Sequence, residues 1–148
     1  MYDPTSTYRS DQITTATPVG QVVLLLQGAV RFGRRHLEAL ERGDREAAHT
    51  ASIRCQAIVA GLQEVLDFRA GPIAAQLDAI YDFVLRRLID GNLRGDPRPT
   101  EEAIGLLRDL LEAWTEVAAR HGASTASEPS GPADRSRAVA AGRVPLPA

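Results

Sequence analysis

The sequence predicts an all-α protein: an antiparallel up-down four-helix bundle with a short N-terminal arm and a disordered C-terminal tail. Apolar residues recur three and four positions apart through four long segments, which is the spacing of one face of a helix. Glycine and proline separate the segments, and no segment alternates polar and apolar residues as a half-buried strand does. Helices of similar length joined by short turns pack as antiparallel neighbours.

The composition fits a single domain of 148 residues. A formal net charge of −2 provides no excess of positive charge for nucleic-acid binding, and a single cysteine excludes an internal disulfide. The longest apolar run covers only residues 22–26, and the polar N-terminus lacks the features of a secretory signal. We therefore expect a cytoplasmic protein with no nucleic-acid partner and no membrane insertion.

The first half of the bundle begins after a polar arm, residues 1–17. Helix 1 is predicted over 18–42, with Thr17 as the residue that caps its N-terminus. Gly43 ends this helix and Asp44 is placed to cap the next, since glycine accepts the left-handed conformation that ends helices. Helix 2 is predicted over 45–69 and helix 3 over 73–94.

The second half ends in a change of composition. Thr100 after a proline, followed by two glutamates, predicts the cap and first turn of helix 4, which ends near Arg120. Residues 121–148 are dominated by Ala, Ser, Gly, Pro and Arg and have few bulky apolar side chains, so we expect them to be disordered. The chain thus divides into an arm (1–17), a helical domain (18–120) and a tail (121–148).

Helix 3 is more apolar than a surface helix requires. Its apolar positions cover about half of the helix circumference, whereas a surface helix usually needs a stripe somewhat over 100° wide. Either other helices of the chain or a partner must cover this excess. The positions are Ile73, Leu77, Ile80, Tyr81, Val84, Leu85, Leu88 and Ile89.

Residues capable of chemistry are few and scattered. His36 and His49 flank the first predicted turn, but two nitrogens without a third ligand do not make a metal site. Cys55 lies in the apolar stripe of helix 2, where a core role is favoured over a catalytic thiol. The sequence contains no phosphate-binding loop and no nucleophile elbow. We expect no enzymatic activity, no metal and no cofactor, and the apolar surplus favours a binding module.

The polar residues of helix 3 have ordinary structural interpretations. The Arg86-Arg87 pair can hold a phosphate, but bonds to Asp82 and Asp90 on the same helix are favoured. Asn92, near the C-terminus of the helix, is expected to bond free carbonyls or to cap the helix.

Several segments in this order are similar to the flagellar secretion chaperone family FliS over about residues 8–118. The likeness begins with Tyr8 and the Thr-Thr-Ala-Thr-Pro of residues 14–18, and continues with GAVRF at 28–32, similar to the family's DGAIRF. The strongest part is helix 3, where YDF at 81–83, RRLI at 86–89 and Asn92 resemble LYDYMLRRLIEAN. Trp114 stands where the family has a tryptophan in its last helix.

The sequence departs from the family at a few positions. Leu26-Gln27 replaces the usual Tyr-Asp before Gly28, which bears on partner contacts. Gly20 replaces a glutamate at the third helical position, so the reciprocal capping box is lost.

The resemblance implies a cytoplasmic chaperone that binds the disordered C-terminal segment of flagellin, prevents premature polymerisation and assists secretion. It also implies contacts with the export gate and other flagellar assembly factors. From the apolar surplus we place the partner contacts at Ile58, Leu62, Leu85 and Ile89, with Tyr81 at the edge of a groove and Tyr8 on an arm that competes with the client. A self-associating helical adaptor and a small-ligand-binding bundle stay open as alternatives.

Overall fold

The computed structural model describes residues 17–127, with side chains described over 17–120. Four α-helices make up this part of the chain, so the predicted all-α class is confirmed. The predicted arm up to residue 16 and the tail from residue 128 lie outside the described residues. The helices are α1 (Pro18–Glu41), α2 (Arg45–Glu64), α3 (Pro72–Arg94) and α4 (Pro97–Ser127), with a 3₁₀ turn at Phe68–Ala70.

The first two helices begin at the predicted caps. The hydroxyl oxygen of Thr17 accepts a hydrogen bond of 3.1 Å from the N–H of Gly20. The carboxylate of Asp44 accepts one of 3.0 Å from the N–H of Ala47. Between them Gly43 has φ +75°, the left-handed conformation that glycine adopts without a steric penalty. These three local predictions are confirmed.

Helix α2 is shorter than predicted. It ends at Glu64 and not at residue 69. The carboxylate of Asp67 accepts a hydrogen bond of 3.1 Å from the N–H of Arg69, which holds the chain in the 3₁₀ turn. A short acidic side chain that bonds nearby backbone N–H groups competes with the helix in this way.

Helix α4 begins one turn earlier than predicted. Its first residue is Pro97, and the carboxylate of Asp96 accepts a hydrogen bond of 3.0 Å from the N–H of Arg98. Asp96 thus has the role that the sequence assigned to Thr100, which lies inside the helix with a buried hydroxyl. The first turn accommodates Pro97 because that position needs no N–H. At its other end α4 continues past Arg120 to Ser127.

Contacts between α1 and α2 show that these two helices are antiparallel. Ala29 and His36 on α1 meet Cys55 and Ala48 on α2: the Cys55 thiol donates to Ala29 O at 3.2 Å, and His36 Nδ1 lies 2.8 Å from Ala48 O. Residue numbers rise on one helix as they fall on the other, so the pair is antiparallel.

The same order holds around the rest of the bundle. Helices α2 and α3 meet at Gln63 with Asp78 and at His49 with Asn92. Helix α4 packs against both α3 and α1, which closes a ring of four antiparallel neighbours. The predicted four-helix bundle is confirmed.

One continuous apolar core fills the ring. At Gly33 on α1 an added Cβ would lie 2.8 Å from Cγ1 of Ile104 on α4, so only glycine allows the two helices this approach. None of the helices described for residues 17–127 is long and apolar enough to cross a membrane. Deeply buried members of the core include Leu26, Val59, Leu62, Tyr81, Val84, Leu88, Leu107 and Trp114.

Candidate partner-binding surface

Large apolar side chains are exposed on α2, on α3 and in the connection between them. Single exposed apolar residues are common on protein surfaces, whereas a contiguous exposed apolar patch usually marks an interaction site. The most exposed is Leu93, with 76% of its surface accessible. The set comprises Ile53, Val65, Phe68, Phe83, Ile89 and Leu93.

Three of the apolar side chains on these helices share one strip, which we call the α2–α3 seam: Ile53, Leu85 and Ile89. The bond of 2.9 Å between the Asn92 amide and His49 Nδ1 fixes the register of the two helices. Ile53 follows His49 by four residues and Ile89 precedes Asn92 by three, so both lie at one level on the sides where α2 and α3 meet. Leu85, half-buried, lies one turn further along α3.

Ile53 was not foreseen in the sequence. It is 46% exposed and lies outside the apolar stripe of α2. Its position off the stripe gave no signal in the sequence, because single exposed apolar residues are common on protein surfaces. Together with Ile89, 43% exposed, it gives the seam its accessible surface.

Of the six residues predicted to contact a partner, the five that the structure describes do not form one surface. Leu85 and Ile89 lie on the seam. Ile58 is half-buried on the other flank of α2, where its Cδ1 lies 3.3 Å from the position a Cβ would take on Gly28 of α1. Tyr8 lies outside the described residues.

The placement of Tyr81 at the edge of a groove is wrong, and Leu62 is likewise a core residue. Each side chain is 1% exposed. Because α3 packs against helices on two sides, the middle of its wide apolar arc points into the core. Ile73, Ile80 and Leu85 are half-buried at its margins, and Ile89 is exposed. Burial also raises the pKa of the Tyr81 phenol to about 12.

The charged residues of α3 pair with one another, as predicted. Arg86 forms an ion pair of 2.6 Å with Asp82, and Arg87 lies 3.4 Å from Asp90. Arg87 also forms an ion pair of 2.9 Å with Glu102 on α4, which the sequence did not indicate because the two residues are far apart along the chain. With their charges satisfied in this way, the two arginines do not form a phosphate site.

Asn92 and the histidines form contacts between helices. The Asn92 side-chain amide donates to His49, and the main-chain carbonyl of Asn92 accepts a bond of 3.3 Å from Arg45. The prediction that Asn92 caps α3 is wrong, because Gly95 is the cap. His36 is buried against Ala48 and does not meet His49. Among the described residues no three His, Cys, Asp or Glu side chains converge as metal ligands.

Cys55 is a core residue, as the apolar stripe predicted. Its thiol is fully buried and donates to the carbonyl of Ala29. Burial raises the pKa of the thiol to about 12, and a hydrogen bond with the backbone of Gly33 lowers it to a smaller extent. The sulfur therefore stays protonated at neutral pH, the form that is not nucleophilic.

A packed helical bundle with an apolar seam on its outside defines a class of protein: a helical binding module. The chain belongs to the family described as "Flagellar protein FliS", whose family model matches residues 1–121. The predicted family membership is confirmed.

Curated relatives agree with this membership. The chain is 30% identical to the flagellar secretion chaperone FliS of Bacillus subtilis over 78% of its own length and 86% of the relative's. It is 36% identical to the flagellar secretion chaperone FliS of Salmonella typhimurium over 71% and 79% of the two lengths. The flagellar secretion chaperone FliSB of Pseudomonas aeruginosa is 28% identical over 72% and 85%.

Proposed function

We propose that this protein is a cytoplasmic export chaperone that binds the disordered C-terminal segment of flagellin. Binding of that segment prevents premature polymerisation and assists secretion. Membership of the family and the names of the relatives support the general role in flagellar secretion. The observation that carries the specific proposal is the α2–α3 seam, where Ile53 and Ile89 expose apolar surface that the fold does not need.

The seam fits a client that folds as it binds. An amphipathic helix places apolar side chains every three or four residues into a groove between two helices. Leu85 and Ile89 are about 6 Å apart along α3, which is close to the rise of one helical turn. A client that becomes ordered on binding spends part of its interaction energy on that ordering, so it covers a wide surface without extreme affinity. Such a complex can release its client at the export apparatus.

The other expected contacts belong to the same proposal. The export gate and further flagellar assembly factors are partners of the loaded chaperone. Tyr8 is our candidate for the residue of the arm that competes with the client. In this proposal the chaperone consists of the arm, the helical domain and the tail. Catalysis has no role in this account.

Co-purification with a peptide of the flagellin C-terminus tests the proposal. The account predicts a one-to-one complex and a gain of helical circular dichroism when the peptide is added, because the client becomes helical. A peptide that fails to bind the full chain contradicts the assignment.

The seam itself also favours a second candidate, a helical adaptor that self-associates through α3. Light scattering over a wide range of protein concentration separates the two. A monomer at every concentration supports the chaperone, whereas dimers that vanish on substitution of Ile89 by aspartate support the adaptor.

A further inference from the structure

A second surface lies on the opposite flank of α2, facing α1. Phe32 is half-buried there, and three arginines surround its ring. The guanidinium carbons of Arg35, Arg54 and Arg31 lie 5.1, 5.6 and 5.7 Å from the ring centroid. We call these four residues the Phe32 cluster. The electron-rich face of an aromatic ring attracts cations, which explains how one side chain gathers several like charges.

Two charges of this cluster, Arg35 and Arg54, form no ion pair with a carboxylate of the described residues. Arginines of α3, α4 and the 3₁₀ turn form ion pairs with nearby acids, whereas Arg35 and Arg54 take part in none of these pairs. Arg34, the neighbour of Arg35 on α1, is likewise outside these pairs. Arg35 and Arg54 thus keep their positive charges available at the surface beside the Phe32 ring.

The cluster lies at one end of a groove with a volume of about 610 Å³ between α1 and α2. Its walls include the small apolar residues Ala47 and Ala51. Nearer to the α1–α2 turn the lining carries both signs of charge, with Glu38, Asp44 and Glu46 beside Arg42, so the groove is purely positive only at Phe32. An occupant that concentrates its negative charge at the Phe32 end therefore fits the groove.

We propose that the Phe32 cluster and its groove bind an acidic segment of a partner protein, with aspartate or glutamate side chains at Arg35 and Arg54. The planar guanidinium pairs with a carboxylate through two parallel hydrogen bonds, a geometry that suits this ligand. A peptide can confine its carboxylates to one end and lay small side chains along the alanines. Nucleic acid carries a phosphate at every nucleotide and would meet Glu38 and Glu46, and the chain has a net charge of −2.

This surface is separate from the seam of the proposed function. Ile53 and Ile89 lie where α2 meets α3, whereas the Phe32 cluster lies where α2 meets α1. A partner at the cluster can therefore bind while the seam is occupied. The two proposals can also fail independently.

Fluorescence anisotropy with the full chain tests the proposal. The probe is a labelled peptide of alternating glutamate and alanine, compared with an alternating lysine and alanine peptide, a single-stranded DNA oligonucleotide and vesicles containing phosphatidylglycerol. We expect only the glutamate peptide to bind, with an affinity that falls as salt is added because exposed charges are screened. The double variant Arg35→Glu, Arg54→Glu should weaken that binding by at least about tenfold, since two attractions become repulsions.

The matched control is Arg69→Glu, Arg120→Glu. It makes the same change of net charge at two exposed arginines, each paired only with an acid close to it in sequence. It should bind the glutamate peptide as the unaltered chain does. Should the first variant lose its helical circular dichroism, Arg35→Gln with Arg54→Gln removes the charges without adding new ones and should give the same direction of change.

Three results would overturn the proposal. One is equal loss of peptide binding in the test and control variants, which would show attraction to net charge alone. Another is no binding of the glutamate peptide at physiological salt. The third is binding of the oligonucleotide or the vesicles as strong as that of the peptide and abolished by the same variant, which would assign the surface to a different partner.

Discussion

Gly91 on α3 lies directly against Thr100 on α4, so close that a Cβ on the glycine would overlap Oγ1 of the threonine. The backbone of α4 is also near: the same Cβ would lie 3.1 Å from Asp96 O and 3.3 Å from Thr100 N. Backbone atoms cannot move aside as the end of a flexible side chain can. The contact therefore fixes how closely the two helices approach at this end of the bundle.

The first prediction concerns that contact. Gly91→Ala should lower the free energy of unfolding by about 1–3 kcal/mol, because overlap at a close-packed site outweighs the higher helix propensity of alanine. Gly105→Ala is the matched control: it is a helical glycine with open space around it, and it should be neutral or stabilise by up to about 1 kcal/mol. Urea denaturation measures both. Equal effects at the two positions would show that the helices are not in close contact.

The second prediction identifies the cap of α4. Asp96→Ala should destabilise the protein, because it removes the acceptor for the N–H of Arg98. Thr100→Val should be neutral or stabilising, because the buried hydroxyl has no hydrogen-bond partner. If Thr100→Val destabilised the protein and Asp96→Ala did not, the cap of α4 would be Thr100.

Asp96 also provides a test at acid pH. The hydrogen bonds from the Arg98 side chain and backbone hold the pKa of the Asp96 carboxyl below its usual value. A carboxyl with a lowered pKa in the native state stabilises the fold above its ordinary pKa and loses that effect as the pH falls through the native value. The difference between the unaltered chain and Asp96→Ala should thus shrink under acid conditions.

These cases show what could be predicted from sequence. Thr17 and Asp44 were predictable as caps because the groups they bond lie three residues away in the chain. Asp96 and Thr100 each precede a turn that looks like a helix start, and only packing against Gly91 shows that Thr100 is inside the helix.

The candidate site was predictable to a lesser degree. The sequence showed that the apolar arc of α3 is wider than a surface helix requires. Its spacing did not distinguish the residues in the middle of the arc, which are buried, from those at its margin. Tyr81 is therefore buried, while Ile89 is exposed. The ion pair between Arg87 and Glu102 and the convergence of Arg35 and Arg54 on Phe32 depend on which helices become neighbours, which a single sequence does not encode locally.

The third prediction concerns alkaline pH. Burial raises the pKa of the Cys55 thiol from its ordinary value of 9.0 and that of the Tyr81 phenol from 10.0, each to about 12. Above the ordinary values the unfolded chain releases protons that the native chain keeps, so stability falls as the pH rises toward the native values. Each group contributes a slope of up to about 1.4 kcal/mol per pH unit in that window.

Variants separate the two contributions. Tyr81→Phe should flatten the decline between about pH 10 and 12, and Cys55→Ala should flatten it from about pH 9. Because each variant has its own stability at neutral pH, the comparison uses the slope of the free energy of unfolding against pH and not its absolute value. Slopes identical to that of the unaltered chain would mean that the two groups titrate alike in the native and unfolded states.

The central claim is that the α2–α3 seam holds the client, and calorimetric titration with a flagellin C-terminal peptide tests it most directly. The double variant Ile53→Asp, Ile89→Asp should weaken binding by at least about a hundredfold while retaining helical circular dichroism, because two exposed apolar contacts are replaced by charges. Phe68→Asp, at an exposed apolar residue in the 3₁₀ turn, should bind as the unaltered chain does. Unchanged affinity in the double variant, or an equal loss in the Phe68 variant, would contradict the claim.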